Sequence, residues 1–129
     1  MNAIILYIED SQLNIRLIKK MLKVMEYEFV SAENGQQGIE IAREVRPNLI
    51  LLDISLPDID GYEVLQNLRV DKRICDNNPI PIVALTADPG NYLQCQKAGF
   101  DGYLNKPVSR GALLRTVLQF LPKSNSANY

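Results

Sequence analysis

The chain has 129 residues, 47% apolar and 22% charged, with a formal net charge of −1. That balance suits one globular domain with a real core, and it supplies no basic surface for nucleic acid or an anionic membrane. Histidine is absent, which excludes Ser-His-Asp and Cys-His catalysis and ordinary zinc sites, and Cys75 and Cys95 form no C-x-x-C, so both read as free thiols.

The first apolar run, Ala3–Ile8, ends at Glu9-Asp10. It is too short for a signal peptide or a membrane span, so the cytoplasm is the expected compartment. It reads as a first strand. Ser11 or Asp10 then caps a helix to about Glu26. Leu13, Leu17, Ile18, Met21, Val24 and Met25 form its apolar stripe, with Ile15 and Leu22 toward the edge. Glu28–Ala32 is a second strand ended by the turn signal Asn34-Gly35. Gln36–Val45 is a second helix stopped by Pro47. Its Gly38 costs about 1 kcal/mol relative to Ala, with no role visible in the sequence. Leu49–Leu52 is a third strand, apolar on both parities and closed by Asp53. Pro57 and Asp60-Gly61 shape the following loop, and Asp58 and Asp60 read as solvated. Gly61–Arg69 is a third helix and Asp71–Pro79 a polar loop. Ile80–Leu85 is a fourth strand. Asp88-Pro89 is an N-cap followed by Pro at the first helical position, opening a short helix to Ala98. Gly102–Asn105 is a fifth strand and Ser109–Leu121 a fifth helix. The domain is expected to span 1–121, with 122–129 a polar tail.

Strands alternating with helices predict parallel βαβ units in a doubly wound α/β sheet. A central strand covered on both faces is apolar throughout, as Leu49–Leu52 is. In this architecture a site forms off the carboxyl ends of the strands. There the sequence places Glu9-Asp10, Asp53, Thr86-Ala87 and Asn105-Lys106-Pro107. Taken singly, each has an ordinary reading as a helix cap, a strand residue or a solvated charge. Together they are three acids, a hydroxyl and an ammonium on one edge. Neighbouring carboxylates repel, and a divalent cation relieves the repulsion. Oxygen-only ligands suit Mg²⁺. A metal with a Lys and a Thr gathers phosphoryl oxygens, and a carboxylate can serve as the nucleophile. Asp53, aimed at the middle of the edge, is the best candidate.

Glu9-Asp10, LILLDISLPDIDG (49–61), Thr86-Ala87 and Lys106-Pro107 together resemble a response regulator receiver domain over about residues 2–121. The resemblance implies a flavodoxin-like (βα)5 sheet of order 2-1-3-4-5. It implies that Asp53 accepts a phosphoryl group from a phosphohistidine on a histidine kinase or phosphotransfer protein. Asp10, Asp53 and the Ser55 backbone carbonyl would ligate Mg²⁺, with Glu9 acting through a metal-bound water. Lys106 would pair with the phosphoryl oxygens or with Asp53, and the Lys106–Pro107 bond would be cis. Thr86 would swing toward the phosphoryl group and Tyr103 inward with it, a switch read by a protein target on helix four, strand five and helix five. A homodimer is a further possible partnership. Without a following domain the chain reads as a single-domain, chemotaxis-regulator-like or phosphorelay protein acting through protein contacts, without nucleic acid or membrane. It would catalyse its own phosphorylation and dephosphorylation without being an enzyme in the ordinary sense.

Some features depart from the pattern. Thr86 and Lys106 stand closer in sequence than the resemblance leads one to expect, so the loop into helix four is trimmed. Asp88 and Ser55 occupy variable positions that tune phosphoryl lifetime in similar proteins. Ile15 and Asn14 form a candidate docking surface for the phosphodonor. Rival readings are a Mg²⁺-dependent phosphatase of the haloacid dehalogenase type, a flavodoxin, a receiver that is never phosphorylated, and a receiver cut from a larger regulator. The phosphatase needs a second acid two residues after its nucleophile, where Ser55 stands. The flavodoxin would have to seat a phosphate against Glu9-Asp10.

Overall fold

A computed structural model describes residues 2–75 and 78–121. Among these residues five strands alternate with five helices. These are β1 (Ile4–Ile8), α1 (Gln12–Leu22), β2 (Glu28–Ala32), α2 (Gly35–Val45), β3 (Leu49–Asp53), α3 (Gly61–Val70), β4 (Ile82–Thr86), α4 (Tyr92–Ala98), β5 (Gly102–Asn105) and α5 (Arg110–Phe120). All strands pair in parallel in the order β2-β1-β3-β4-β5, the flavodoxin-like sheet the sequence implied. The proposed tail, 122–129, lies outside the described residues.

Four of these helices, α1, α2, α3 and α5, begin where a short polar side chain bonds a free backbone N–H. Ser11 accepts from Asn14, Asn34 from Gln37, Asp60 from Glu63 and Ser109 from Ala112. Asn34-Gly35 is therefore the opening of α2 rather than a separate turn. Asp58 is bonded rather than merely solvated, since its carboxylate accepts from the N–H groups of Gly35 and Gln36 at 2.8 and 2.9 Å. That acid meets the positive end of α2 from another loop.

The sheet separates two apolar layers. Leu6, Ile8, Ile50, Leu52 and Ile82 pack against α2 and α3, and Ile5, Tyr7, Leu49, Leu51 and Val83 against α1 and α5. β3 and β4 are buried at every position, as central strands must be. Helix α1 departs from the expected stripe. It buries Ile15, Ile18 and Leu22, while Leu13 and Leu17 are 58% and 45% exposed. The helix is rotated so that the expected edge residues face the sheet. Because Ile15 is buried, it is unavailable as the docking residue the sequence suggested.

The loop into α4 is a single 3-10 turn, Pro89–Asn91, opened by the Asp88 side chain on the Gly90 N–H. Asp88 thus starts the turn, and α4 itself begins only at Tyr92.

Two glycines explain close approaches. A Cβ on Gly38 would stand 2.5 Å from Ile8 Cδ1, so its absence lets α2 press on β1. A Cβ on Gly61 would stand 2.5 Å from the Ile54 backbone and 2.9 Å from the Asp53 carbonyl oxygen. The start of α3 thus leans on the strand end that carries Asp53. Gly111 has only the Arg115 side chain nearby, at 3.3 Å. Gly61→Ala is expected to lower stability by about 1–3 kcal/mol through overpacking. Gly111→Ala is expected to raise it by about 0.5 kcal/mol through reduced unfolded-chain entropy. Urea midpoints of the two variants check the opposite signs.

Candidate functional site

The sheet register assembles the site as a staircase. Ile8 pairs with Leu52, so Glu9 lies beside Asp53. Asp53 pairs with Leu85, so Thr86 lies one step beyond. Thr86 pairs with Asn105, so Lys106 follows it. The ladder continues past the strand ends through Glu9 N–H to Ala32 O at 2.9 Å and Lys106 N–H to Thr86 O at 2.8 Å. Asp53 itself is the last residue of β3 and not the start of the loop.

Lys106 Nζ lies 2.9 Å from Glu9 Oε1 and 3.1 Å from Asp53 Oδ2. Asp53 Oδ1 accepts from the Ser55 N–H at 2.9 Å. Glu9 Oε1 also accepts from the Tyr7 hydroxyl at 2.7 Å, and Oε2 from the Ser11 N–H at 3.3 Å. Asp10 is exposed, whereas Glu9 and Asp53 are buried. One carboxylate oxygen from each of Glu9, Asp10 and Asp53 lies within 4.8 Å of the others. Three hard oxygen donors at that spacing fit Mg²⁺, which takes carboxylates and phosphate oxygens. The Lys106–Pro107 bond is cis, as the resemblance implies.

Burial, reinforced by the Glu9 charge, pushes the Asp53 carboxyl up to about 6, against the pull of the Ser55 N–H and Lys106. Burial acts on Glu9 in the same direction, but hydrogen bonds from Lys106 and Tyr7 outweigh it and hold that carboxyl low. Burial is also the main cause that keeps the Tyr7 phenol far above its ordinary range, so Tyr7 stays a neutral donor.

Two expected switch residues have their polar or aromatic partners elsewhere. Thr86 is buried, and its hydroxyl accepts from the Asp88 N–H at 3.1 Å and Asn91 Nδ2 at 3.0 Å, and donates to Asp88 O at 3.3 Å. Tyr103 is 41% exposed and stacks on Tyr92, with ring centroids 4.3 Å apart at 22°. The structure thus gathers Glu9, Asp10, Asp53 and Lys106, and holds Thr86 and Tyr103 on the loop side.

Sequence reasoning passed over Tyr7, Asn91 and Tyr92. Tyr7 had a signal, because residues two apart on a strand share a face and Tyr7 precedes Glu9 by two. Asn91 and Tyr92 had none, since their partners depend on the path of the trimmed loop.

Comparison with known proteins gives a consistent answer. The model of the response regulator receiver domain matches residues 5–118. The polar-differentiation response regulator DivK of Brucella anthropi is 33% identical over 119 residues, spanning 91% of this chain and 94% of that protein. The receiver domain of a sensor histidine kinase from Pseudomonas aeruginosa PAO1, solved with a magnesium ion coordinated in its active-site cleft, is 32% identical with a TM-score of 0.80. That match covers 93% of this chain and 98% of the other. The receiver domain of a Saccharomyces cerevisiae response regulator, solved with a histidine phosphotransfer signaling protein, is 27% identical with a TM-score of 0.83. It covers 97% of this chain and 96% of the other.

The raised Asp53 carboxyl carries a stability consequence. A carboxyl whose pKa rises on folding opposes folding once ionised. The penalty is absent below its unfolded value of 3.8, grows as pH rises and is complete above about 6. Asp53→Asn is therefore expected to stabilise the metal-free protein near neutral pH by about 1–3 kcal/mol. The gain should shrink to nothing toward acid pH. Urea unfolding of both proteins across pH measures it.

Proposed function

The chain belongs to the response regulator receiver domain family, a phosphoaccepting family, and we propose that Asp53 is its phosphoacceptor, charged from a phosphohistidine on a histidine kinase or a histidine phosphotransfer protein. The observation that carries this reading is the placing of one buried carboxylate, Asp53, between Lys106 and the Glu9–Asp10 pair at the centre of the sheet edge.

In the transfer an Asp53 oxygen attacks phosphorus, a P–O bond forms, and the P–N bond breaks with its electron pair leaving on the imidazole nitrogen. Such a transfer needs positioning and charge neutralisation above all. The Ser55 N–H fixes one Asp53 oxygen and Lys106 faces the other. With its pKa near 6, Asp53 is mostly ionised at neutral pH and so is nucleophilic. Asp10, Asp53 and the Ser55 carbonyl would hold Mg²⁺, with Glu9 behind a water. The ion supplies charge neutralisation to the phosphoryl oxygens. Lys106 would move from its carboxylates onto those oxygens, and hydrolysis at the same site would reset Asp53.

Thr86 and Tyr103 form the switch in this reading. The Thr86 hydroxyl would leave Asn91 and Asp88 for the phosphoryl group, and Tyr103 would leave Tyr92 and turn inward. The face these motions alter belongs to α4, β5 and α5, where Leu93, Tyr103 and Leu118 are exposed. It suits a downstream protein or a second copy of the chain. Residues 1–121 would be the whole receiver domain, and among the described residues no helix is long and apolar enough to cross a membrane.

Incubation with acetyl phosphate and Mg²⁺ is expected to add one phosphoryl mass to the protein and none to Asp53→Asn. An adduct that survives in Asp53→Asn would move the acceptor elsewhere. The Thr86 bonds give a finer expectation. Removing the Asn91 amide frees the hydroxyl in advance, so Asn91→Ala should tighten beryllofluoride binding by about threefold to tenfold. NMR titration of the two proteins compares the affinities.

A further inference from the structure

The proposed transfer leaves one electrostatic problem. Lys106 is the only cation within 4 Å of Glu9 among the described residues, and the phosphoryl group would draw it away. Glu9 has 1% of its surface exposed, so it cannot turn to bulk water. A buried carboxylate that loses its partner is costly. Glu9 would keep the Ser11 N–H on Oε2 and the proposed metal-bound water, but Oε1, the oxygen that Lys106 leaves, needs a donor of its own.

Tyr7 stands in that place. Its ring is buried between β1 and the α1/α5 layer, and its hydroxyl reaches to the strand end. It donates to the same atom, Glu9 Oε1, that Lys106 contacts, at 2.7 Å against 2.9 Å. A neutral hydroxyl that shares the oxygen with the ammonium can keep it when the ammonium goes. The simpler account is that a buried tyrosine needs some acceptor and Glu9 provides one. That account makes no connection to Lys106.

We propose that Tyr7 is a positioning residue for phosphoryl transfer, keeping Glu9 fixed and hydrogen-bonded so that Lys106 can leave it for the phosphoryl oxygens. The inference rests on the reading of Asp53 as phosphoacceptor. Tyr7 touches neither the donor nor the metal and acts through Glu9. Without the Tyr7 hydroxyl, Lys106 is the remaining partner of Glu9 Oε1 among the described residues, and Glu9 grips it harder. Recruitment of Lys106 then becomes less favourable, and both beryllofluoride affinity and the phosphorylation rate fall.

The test is a double-mutant cycle on the full chain with saturating Mg²⁺, using beryllofluoride affinity and the acetyl phosphate rate. Tyr7→Phe is expected to weaken both by about tenfold in the otherwise native protein. In a Glu9→Gln background the Glu9 charge no longer competes for Lys106, and the same change should then alter them less than twofold. An equal loss in both backgrounds would mean that Tyr7 serves packing alone and overturns the proposal, as would no loss in either. A readout that needs no variant is the ¹³Cζ resonance of Tyr7. It should keep its hydrogen-bonded shift in the beryllofluoride complex, and a shift to the unbonded value sinks the proposal even if Tyr7→Phe fails to fold. If the native protein forms no beryllofluoride complex or phosphoryl adduct, the Asp53 reading itself falls and takes this one with it. A native adduct with an unchanged Tyr7→Phe overturns only the role of Tyr7.

Discussion

Glu9, Asp53 and Lys106 share a space almost closed to water. Two carboxylates and one ammonium lie there within hydrogen-bond distance, and Lys106 touches both acids. Burying a carboxylate without a partner costs several kcal/mol, so both acids depend on Lys106. The cluster still carries one negative charge too many, and Asp10 adds another at its rim. Burial and the Glu9 charge together push the Asp53 carboxyl up, as an excess of negative charge requires. A site left short of positive charge is prepared for a cation and for the transfer that the cation assists.

The fold serves this cluster by fixing where strands end. Register alone sets Glu9 beside Asp53 and Lys106 beyond Thr86, and two glycines let neighbouring helices close on the same edge. The opposite end of the sheet is tied separately. Arg69 donates to the Ile80 and Gly99 carbonyls and pairs with Asp101 at 2.8 Å, and the same Asp101 oxygen accepts from the Ile82 N–H at 2.8 Å. Those bonds hold the start of β4 against the end of α3. The sheet is thus pinned at the end away from the site.

The sequence disclosed what depends on periodicity and on strand ends. β2 and β5 fall at their expected residues because polar or turn residues bound short apolar runs. The acids, Thr86 and Lys106 were legible because an α/β sheet delivers its strand ends to one edge. The rotation of α1 was not legible. With Leu13, Ile15, Leu17, Ile18 and Leu22 in eleven residues, two stripes compete, and only packing on β1 and α5 selects the one through Ile15, Ile18 and Leu22. The role of Gly38 was equally hidden, since it depends on the Ile8 side chain across the layer. The partners of Thr86 belong to a loop path that no pattern encodes.

Those partners set the scale of the proposed switch. In the outward state the Thr86 hydroxyl has Asn91 and Asp88, and Tyr103 has the face of Tyr92. A neutral hydrogen bond contributes about 0.5–1.5 kcal/mol, and an aromatic pair a similar amount. Leaving all three would cost about 1.5–4.5 kcal/mol, so the proposed inward state would be populated at roughly 0.05–7% before phosphorylation. A hydrogen bond to a charged phosphoryl oxygen is about twice as strong as a neutral one, enough to offset most of that gap. Asn91 and Tyr92 are adjacent, so the two outward contacts share one short backbone segment. In the proposed switch, motion of that segment would weaken both contacts together and so link the buried hydroxyl to the exposed ring with no longer pathway between them.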